Sequence, residues 1–208
     1  MTMFSDDDGR RAVEIARTVV EKHVRRERIP EMDFPEGFRE KSGVFVTLTT
    51  FPDDGLRGCI GYPEPVSPLI EALMDSAVSA ASRDPRFDSV RPDELDVIRV
   101  EVSLLTPPKE ITPGEPSELP GLVRVGEDGL IVQRAGFRGL LLPQVPVELG
   151  WDADEFLGQT CMKAGLSPDS WLLPDTKTFS FSAEVFSETS PRGKVVRRNL
   201  SERHGRDR

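Results

Sequence analysis

The chain has 208 residues, a net charge of −9 from 36 acidic and 27 basic side chains, and only two cysteines and two histidines. That charge balance argues against a general nucleic-acid binder, and so few Cys and His exclude a zinc finger, a zinc ribbon and a disulfide scaffold. With 37% apolar residues, the 17 glycines and 18 prolines indicate many turns rather than disorder, and the length suits one large domain or two small ones.

The opening, Met1 to Asp8, is acidic and holds no apolar stretch, so no secretory signal is expected. No apolar run approaches the ~18 residues that a membrane span needs. The expectation is a cytoplasmic protein with free thiols at Cys59 and Cys161. Asp6-Asp7-Asp8 suits a helix N-terminus, and Ala12, Val13, Ala16, Val19, Val20 and Val24 recur at helical spacing. This helix is expected to end near Arg28, before Pro30, with a loop over 30–42. Val44, Val46 and Leu48 alternate with Phe45, Thr47 and Thr49 as a strand, residues 51–55 read as a hairpin turn, and Leu56 to Gly61 return as a second strand. A helix follows over 67–83, with Ser67 as its cap and Pro68 in its first position. Its small side chains, Ala77, Ala80 and Ala81, predict close packing on a sheet.

Val97 to Leu105 reads as a strand with Ile98, Val100, Val102 and Leu104 on one face and Arg99, Glu101 and Ser103 on the other. Residues 106–121 hold five prolines and no period, which reads as a connector. Gly129 to Gln133 and Phe137 to Leu142 read as a second hairpin, followed by a helix capped at Asp152 and stopped at Gly165. Phe179 to Val185 reads as the last strand. From Arg192 to Arg208 there are seven bases and two acids, a basic, flexible tail that leaves the body more acidic than the whole chain.

The halves, about 10–105 and 122–186, can be laid over each other. Leu56-Arg57-Gly58 matches Phe137-Arg138-Gly139, and each match is followed by a turn, a helix, an aromatic residue and a closing strand. This order reads as an internal duplication of a strand–strand–helix–strand unit. The expected fold class is α+β, with mixed, mostly antiparallel sheets, helices on one side, and a cleft between the halves.

The densest chemical signal is Leu56-Arg57-Gly58-Cys59-Ile60-Gly61. On a strand, Arg57 and Cys59 share a face, and a cation beside a thiol favours the thiolate. Gly58 and Gly61 admit close approach of another backbone or a ligand. The plainer alternative is a buried structural cysteine with Arg57 in a salt bridge. In Asp84-Pro85-Arg86-Phe87, Asp84 suits a bond to Arg57 or to loop backbone, and Arg86 suits an anion, unless the segment is only a turn whose Phe87 plugs the core. Glu101 and Ser103 share the face of Cys59 or a plain solvated sheet face, and Gln144 offers a neutral donor and acceptor. Cys161 reads as core, and Lys163 stands off its helical face. His23 and His204 are remote from Cys59 in sequence, so a Cys–His dyad would have to come through the fold. No metal cluster, dinucleotide fingerprint or phosphate loop is present in the sequence, and no cofactor is expected.

Together, Leu56-Arg57-Gly58-Cys59-Ile60-Gly61, Asp84-Pro85-Arg86-Phe87, Glu101-Val102-Ser103-Leu104-Leu105, Leu142-Pro143-Gln144-Val145 and Cys161-Met162-Lys163-Ala164-Gly165-Leu166 resemble the AMMECR-one domain family over about 10–190. The resemblance implies a single α+β domain over 1–191 with a larger and a smaller subdomain. It also implies a basic cellular or regulatory role, and partners that include a Memo-like protein and a radical-SAM protein. It raises Arg57 and Cys59 as site residues.

Three functions follow as expectations. The first is a binding or regulatory domain that holds a small anionic ligand or a partner segment at the Cys59 motif. The second is a cysteine-dependent enzyme with Cys59 as nucleophile, Arg57 as anion stabiliser and Glu101 or Asp84 handling the proton. The third, disfavoured by charge, is a nucleic-acid contact through the tail.

Overall fold

The structure is a computed structural model that describes residues 4–198. The chain divides into two compact units, one reaching to Leu105 and taking in Glu184–Arg198, the other Thr106–Ala183. The fold is α+β, and each strand pair given below is antiparallel.

The first unit opens with helix α1 (Asp6–Val24). Ser5 caps it by accepting from the Asp8 backbone N–H, and the Asp8 carboxylate returns the bond to the Ser5 N–H. Strands β1 (Val44–Thr50) and β2 (Leu56–Tyr62) form the expected hairpin. Helix α2 (Leu69–Ser82) crosses to β3 (Ile98–Leu105), which pairs with the other side of β1 and sets the order β2-β1-β3. The period-2 pattern sorts the faces. Val44, Val46, Leu48, Ile98, Val100, Val102 and Leu104 are fully buried with the apolar stripes of α1 and α2. Phe45, Thr47, Thr49, Arg99, Glu101 and Ser103 lie on the opposite face and are half-buried.

The small residues of α2 have the purpose the sequence suggested. A Cβ on Gly58 would lie 2.1 Å from the Ala80 carbonyl oxygen, so the helix backbone seats directly on the strand. Gly58 is therefore taken up by packing, not by a ligand. Gly61 is likewise covered, by the Phe45 ring and the Val44 carbonyl. Arg17 of α1 is buried in a bidentate pair with Glu188, and it also donates to the carbonyls of Leu95 and Ile98. Glu188 in turn accepts the Val100 N–H, so the buried charges are satisfied on both sides.

The second unit contains β4 (Lys109–Ile111), a short helix α3 (Leu119–Leu122), the hairpin β5 (Asp128–Arg134) and β6 (Phe137–Leu141), α4 (Gln144–Leu149) and α5 (Ala153–Lys163). Strand β7 (Lys177–Glu188) pairs β5 and β4 through its first half. The order β6-β5-β7 repeats β2-β1-β3. A smaller core of Leu119, Val123, Leu130, Phe156 and Leu157 holds the unit. A Cβ on Gly139 would lie 2.3 Å from the Ala164 N, so α5 seats on β6 as α2 seats on β2.

Several boundaries differ from expectation. Helix α1 stops at Val24, because Arg26 turns left-handed (φ 57°) and the N–H groups of Arg26 and Glu27 close on the carbonyls of His23 and Lys22. Segment 106–121 is not a bare connector, since β4 and α3 lie in it. The expected flexible tail begins as structure. Strand β8 (Val195–Arg198) pairs the end of β7, Arg192 binds Glu21 and Asp96, and Arg197 binds Asp6 and Glu184. His204 and the remaining tail residues, 199–208, lie outside the described residues. Among the described residues, no helix is long and apolar enough to cross a membrane.

Candidate functional site

Cys59 sits mid-way along β2 with Thr47 of β1 directly opposite, and Thr47 in turn faces Glu101 of β3. Cys59, Thr47 and Glu101 thus form one row across the face turned away from α1 and α2. The next row is Gly61, Phe45 and Ser103. The sequence left Glu101 and Ser103 either on the face of Cys59 or on a plain solvated face, and the register aligns all three on one side of the sheet. Adjacent strands are about 4.8 Å apart, so Glu101 stands roughly two strand spacings from Cys59. Thr47, which the sequence reading passed over, is the nearer group: its hydroxyl donates to the Cys59 sulfur at 3.3 Å. Strict alternation was the signal that could have found it.

The guanidinium beside Cys59 is not that of Arg57. The β1–β2 register slips between Leu48 and Thr49, leaving Arg57 as an extra residue on β2 with no opposite number. A bulge re-aims its side chain. Arg57 grips Glu94 through Nε and Nη2 at 2.7 and 3.0 Å and donates to the Asp88 carbonyl at 2.8 Å. Its hydrogen bonds, against the opposing effect of burial, hold the Glu94 carboxyl below the usual carboxylate range. This is the salt-bridged alternative for Arg57, and Glu94 is a partner the sequence did not reveal.

Arg86 takes the place expected of Arg57. Asp84, buried at the end of α2, accepts the Cys59 backbone N–H at 2.8 Å. The same carboxylate holds Arg86 in a fork, Nε to Oδ1 at 2.9 Å and Nη2 to Oδ2 at 2.7 Å, and accepts the Arg86 N–H at 3.1 Å. Arg86 also donates to the Cys59 carbonyl at 3.3 Å. The Arg86 bond, with help from the backbone N–H groups, holds the Asp84 carboxyl far below its ordinary range against the opposing effect of burial. Arg86 keeps its proton more tightly than usual, first because of Asp84 and in smaller part because the Cys59 side chain lies beside it. Asp84 thus serves backbone and Arg86, not Arg57. The Arg86 side chain is 53% exposed whereas that of Asp84 is 2% exposed, so a buried anchor holds out an accessible cation. The Phe87 ring lies under both guanidinium groups, 6.0 Å from Arg57 and 5.5 Å from Arg86.

A profile of the AMMECR1 family matches residues 13–186, a stretch that contains every residue of this corner. The chain belongs to the AMMECR1 family. It is 53% identical over 205 residues to a protein of Thermococcus gammatolerans, covering 96% of this chain and all of the other. It is 56% identical over 188 residues to a protein of Methanothermobacter thermautotrophicus, covering 89% of this chain and 96% of that one. The crystal structure of uncharacterized protein PH0010 from Pyrococcus horikoshii superposes with a TM-score of 0.81 at 49% identity, over 94% of this chain and 98% of that one.

The remaining expected residues of this AMMECR1-family chain are placed as follows. Gln144 opens α4 in the second unit, half-buried. Cys161 is buried in α5, and burial pushes its thiol up. His23 lies on α1 and bonds Ser82, not Cys59. Among the described residues, no group of three or more His, Cys, Asp or Glu is placed to hold a metal ion.

Proposed function

We propose that this AMMECR1-family protein is a binding or regulatory domain whose recognition point is the corner where Arg86 meets Cys59. The occupant would be a small anion or an acidic segment of a partner protein. One observation carries the reading: the Arg86 side chain is half exposed while the carboxylate that orients its guanidinium is buried. Such a cation is already ordered before binding, so little freedom is lost when an anion arrives. The Memo-like and radical-SAM proteins implied by the family resemblance are the partners to try first. The experiment is alkylation of Cys59 in the presence of inorganic phosphate or a short glutamate-rich peptide. Protection in the wild type, lost in Arg86→Ala and kept in Arg57→Ala, is the expected result. No protection by either probe would overturn the reading.

A second reading, a cysteine nucleophile, is favoured by the Thr47 hydroxyl on the sulfur at 3.3 Å together with the neighbouring Arg86. Both would stabilise a thiolate. The rate of Cys59 alkylation against pH tests it: a midpoint below the ~8.5 of a free thiol supports the reading and one at or above it ends it.

A further inference from the structure

A different part of the first unit holds a pocket. The C-terminal ends of α1 and α2, with segment 89–92, line a half-open pocket of about 550 Å³, within the roughly 300–1,000 Å³ typical of small-molecule sites. Val24, Ala81, Val90 and Pro92 give it apolar walls. The charged residues lining it are Arg25, Arg26 and Arg91, with His23 beside them and no Asp or Glu. In a chain of net charge −9 this is a local inversion of sign.

Two of these cations have partners near the surface: Arg25 stands 3.7 Å from Glu21, and Arg91 donates to Asp93 from Nε at 3.3 Å and from Nη2 at 3.5 Å, with 41% and 72% of their side chains exposed. Among the described residues, no carboxylate pairs with Arg26. Cations gather at helix C-termini for the sake of the helix dipole, and that would be the bland account. It leaves Arg26 unexplained. Arg26 occupies the left-handed position of the helix stop, φ 57°, where glycine would sit without strain. The α1 end is also already closed, its carbonyls at Glu21, Lys22 and His23 accepting backbone N–H groups from Arg25, Glu27 and Arg26. His23 is pinned too. Ser82 donates its hydroxyl to the Val78 carbonyl, so His23 Nε2, 2.9 Å away, is the donor to Ser82.

We propose that this pocket binds a small organic phosphate, a phosphomonoester whose phosphate is taken by Arg26, Arg25 and Arg91 and whose apolar body lies against Val24, Ala81 and Val90. Guanidinium forks match phosphate oxygens, and several of them with no carboxylate in the lining favour a dianion over a single carboxylate. The site is separate from the Cys59–Arg86 corner and does not depend on it.

The test is calorimetric titration of the full chain at low ionic strength with phenyl phosphate, alongside benzyl alcohol as the neutral analogue. Phenyl phosphate is expected to bind and benzyl alcohol not. Arg26→Gly is the telling variant, since glycine accepts the left-handed turn. Its thermal midpoint without ligand should equal or exceed that of the wild type, while affinity falls by at least about tenfold. Arg91→Ala should weaken binding in the same direction, and the loss caused by Arg26→Gly should persist in an Arg86→Ala background, where any anion binding at the Cys59 corner is removed. Failure of phenyl phosphate to bind at millimolar concentration would overturn the proposal. So would equal binding by Arg26→Gly, or loss of binding in Arg86→Ala with Arg26→Gly unaffected.

Discussion

The β1–β2 and β5–β6 hairpins use the same packing device for different ends. In each, an Arg-Gly pair opens the second strand, and a helix backbone rests on the glycine, Ala80 on Gly58 and Ala164 on Gly139. Counting on by equal steps from Arg57 and Arg138, Cys59 corresponds to Leu140, Asp84 to Gly165 and Arg86 to Ser167. At those three positions the second unit has no thiol, carboxylate or cation, and its own buried carboxylate, Asp128, holds the exposed Arg124 elsewhere. Packing therefore explains the glycines in both units, whereas the Asp84–Arg86–Cys59 corner occurs in the first alone at these positions.

The largest effects should come from the shared device. Gly58→Ala and Gly139→Ala each drive a methyl into helix backbone that cannot swing aside, at an expected cost of about 3 kcal/mol in urea unfolding, the upper end of overpacking costs. Only Gly58→Ala should also change the alkylation rate of Cys59. Equal changes from both substitutions would break the distinction between the hairpins.

Next comes the carboxylate. Asp84→Asn removes the charge that Arg86 and the Cys59 N–H engage, and should cost about 2 kcal/mol at pH 7. Because folding lowers the Asp84 carboxyl below its unfolded value of ~3.9, its contribution is complete above that pH and fades as pH falls toward the folded value. The gap between wild type and Asp84→Asn should narrow below about pH 4. A gap that stays constant with acidification would show that charge is not what Asp84 contributes.

The smallest effect separates the two arginines. Arg57→Ala loses the pair with Glu94, expected to cost about 1 kcal/mol, and should leave the pH profile of Cys59 alkylation in place. Arg86→Ala should move that profile. A shift in Arg57→Ala alone would restore the assignment that sequence adjacency first suggests.

The sheet faces were legible because alternation is local: Val44-x-Val46-x-Leu48 and Ile98-x-Val100-x-Val102 fix which side is buried, and so which row holds Cys59 and Glu101. The choice of cation was not legible. Residues two apart on a strand are about 6.6 Å apart along the chain direction, too far for a tight pair, and a one-residue bulge then turned Arg57 toward Glu94. Arg86 reaches Cys59 only because the chain after α2 folds back, with Asp84 holding both. The stop of α1 was hidden for a related reason, since an arginine stands where glycine would have announced it.

The bonds at Cys59 also bear on how these molecules treat one another. Strand β2 ends the β2-β1-β3 order, and an uncovered strand margin is a template on which a second chain can add. At Cys59 the outward N–H is taken by the Asp84 carboxylate and the outward C=O by the Arg86 guanidinium, the two groups that an incoming strand would need. The side chains stand in for a missing neighbour and close the ladder at its midpoint. An incoming strand would therefore find no free main-chain donor or acceptor at Cys59 on which to register.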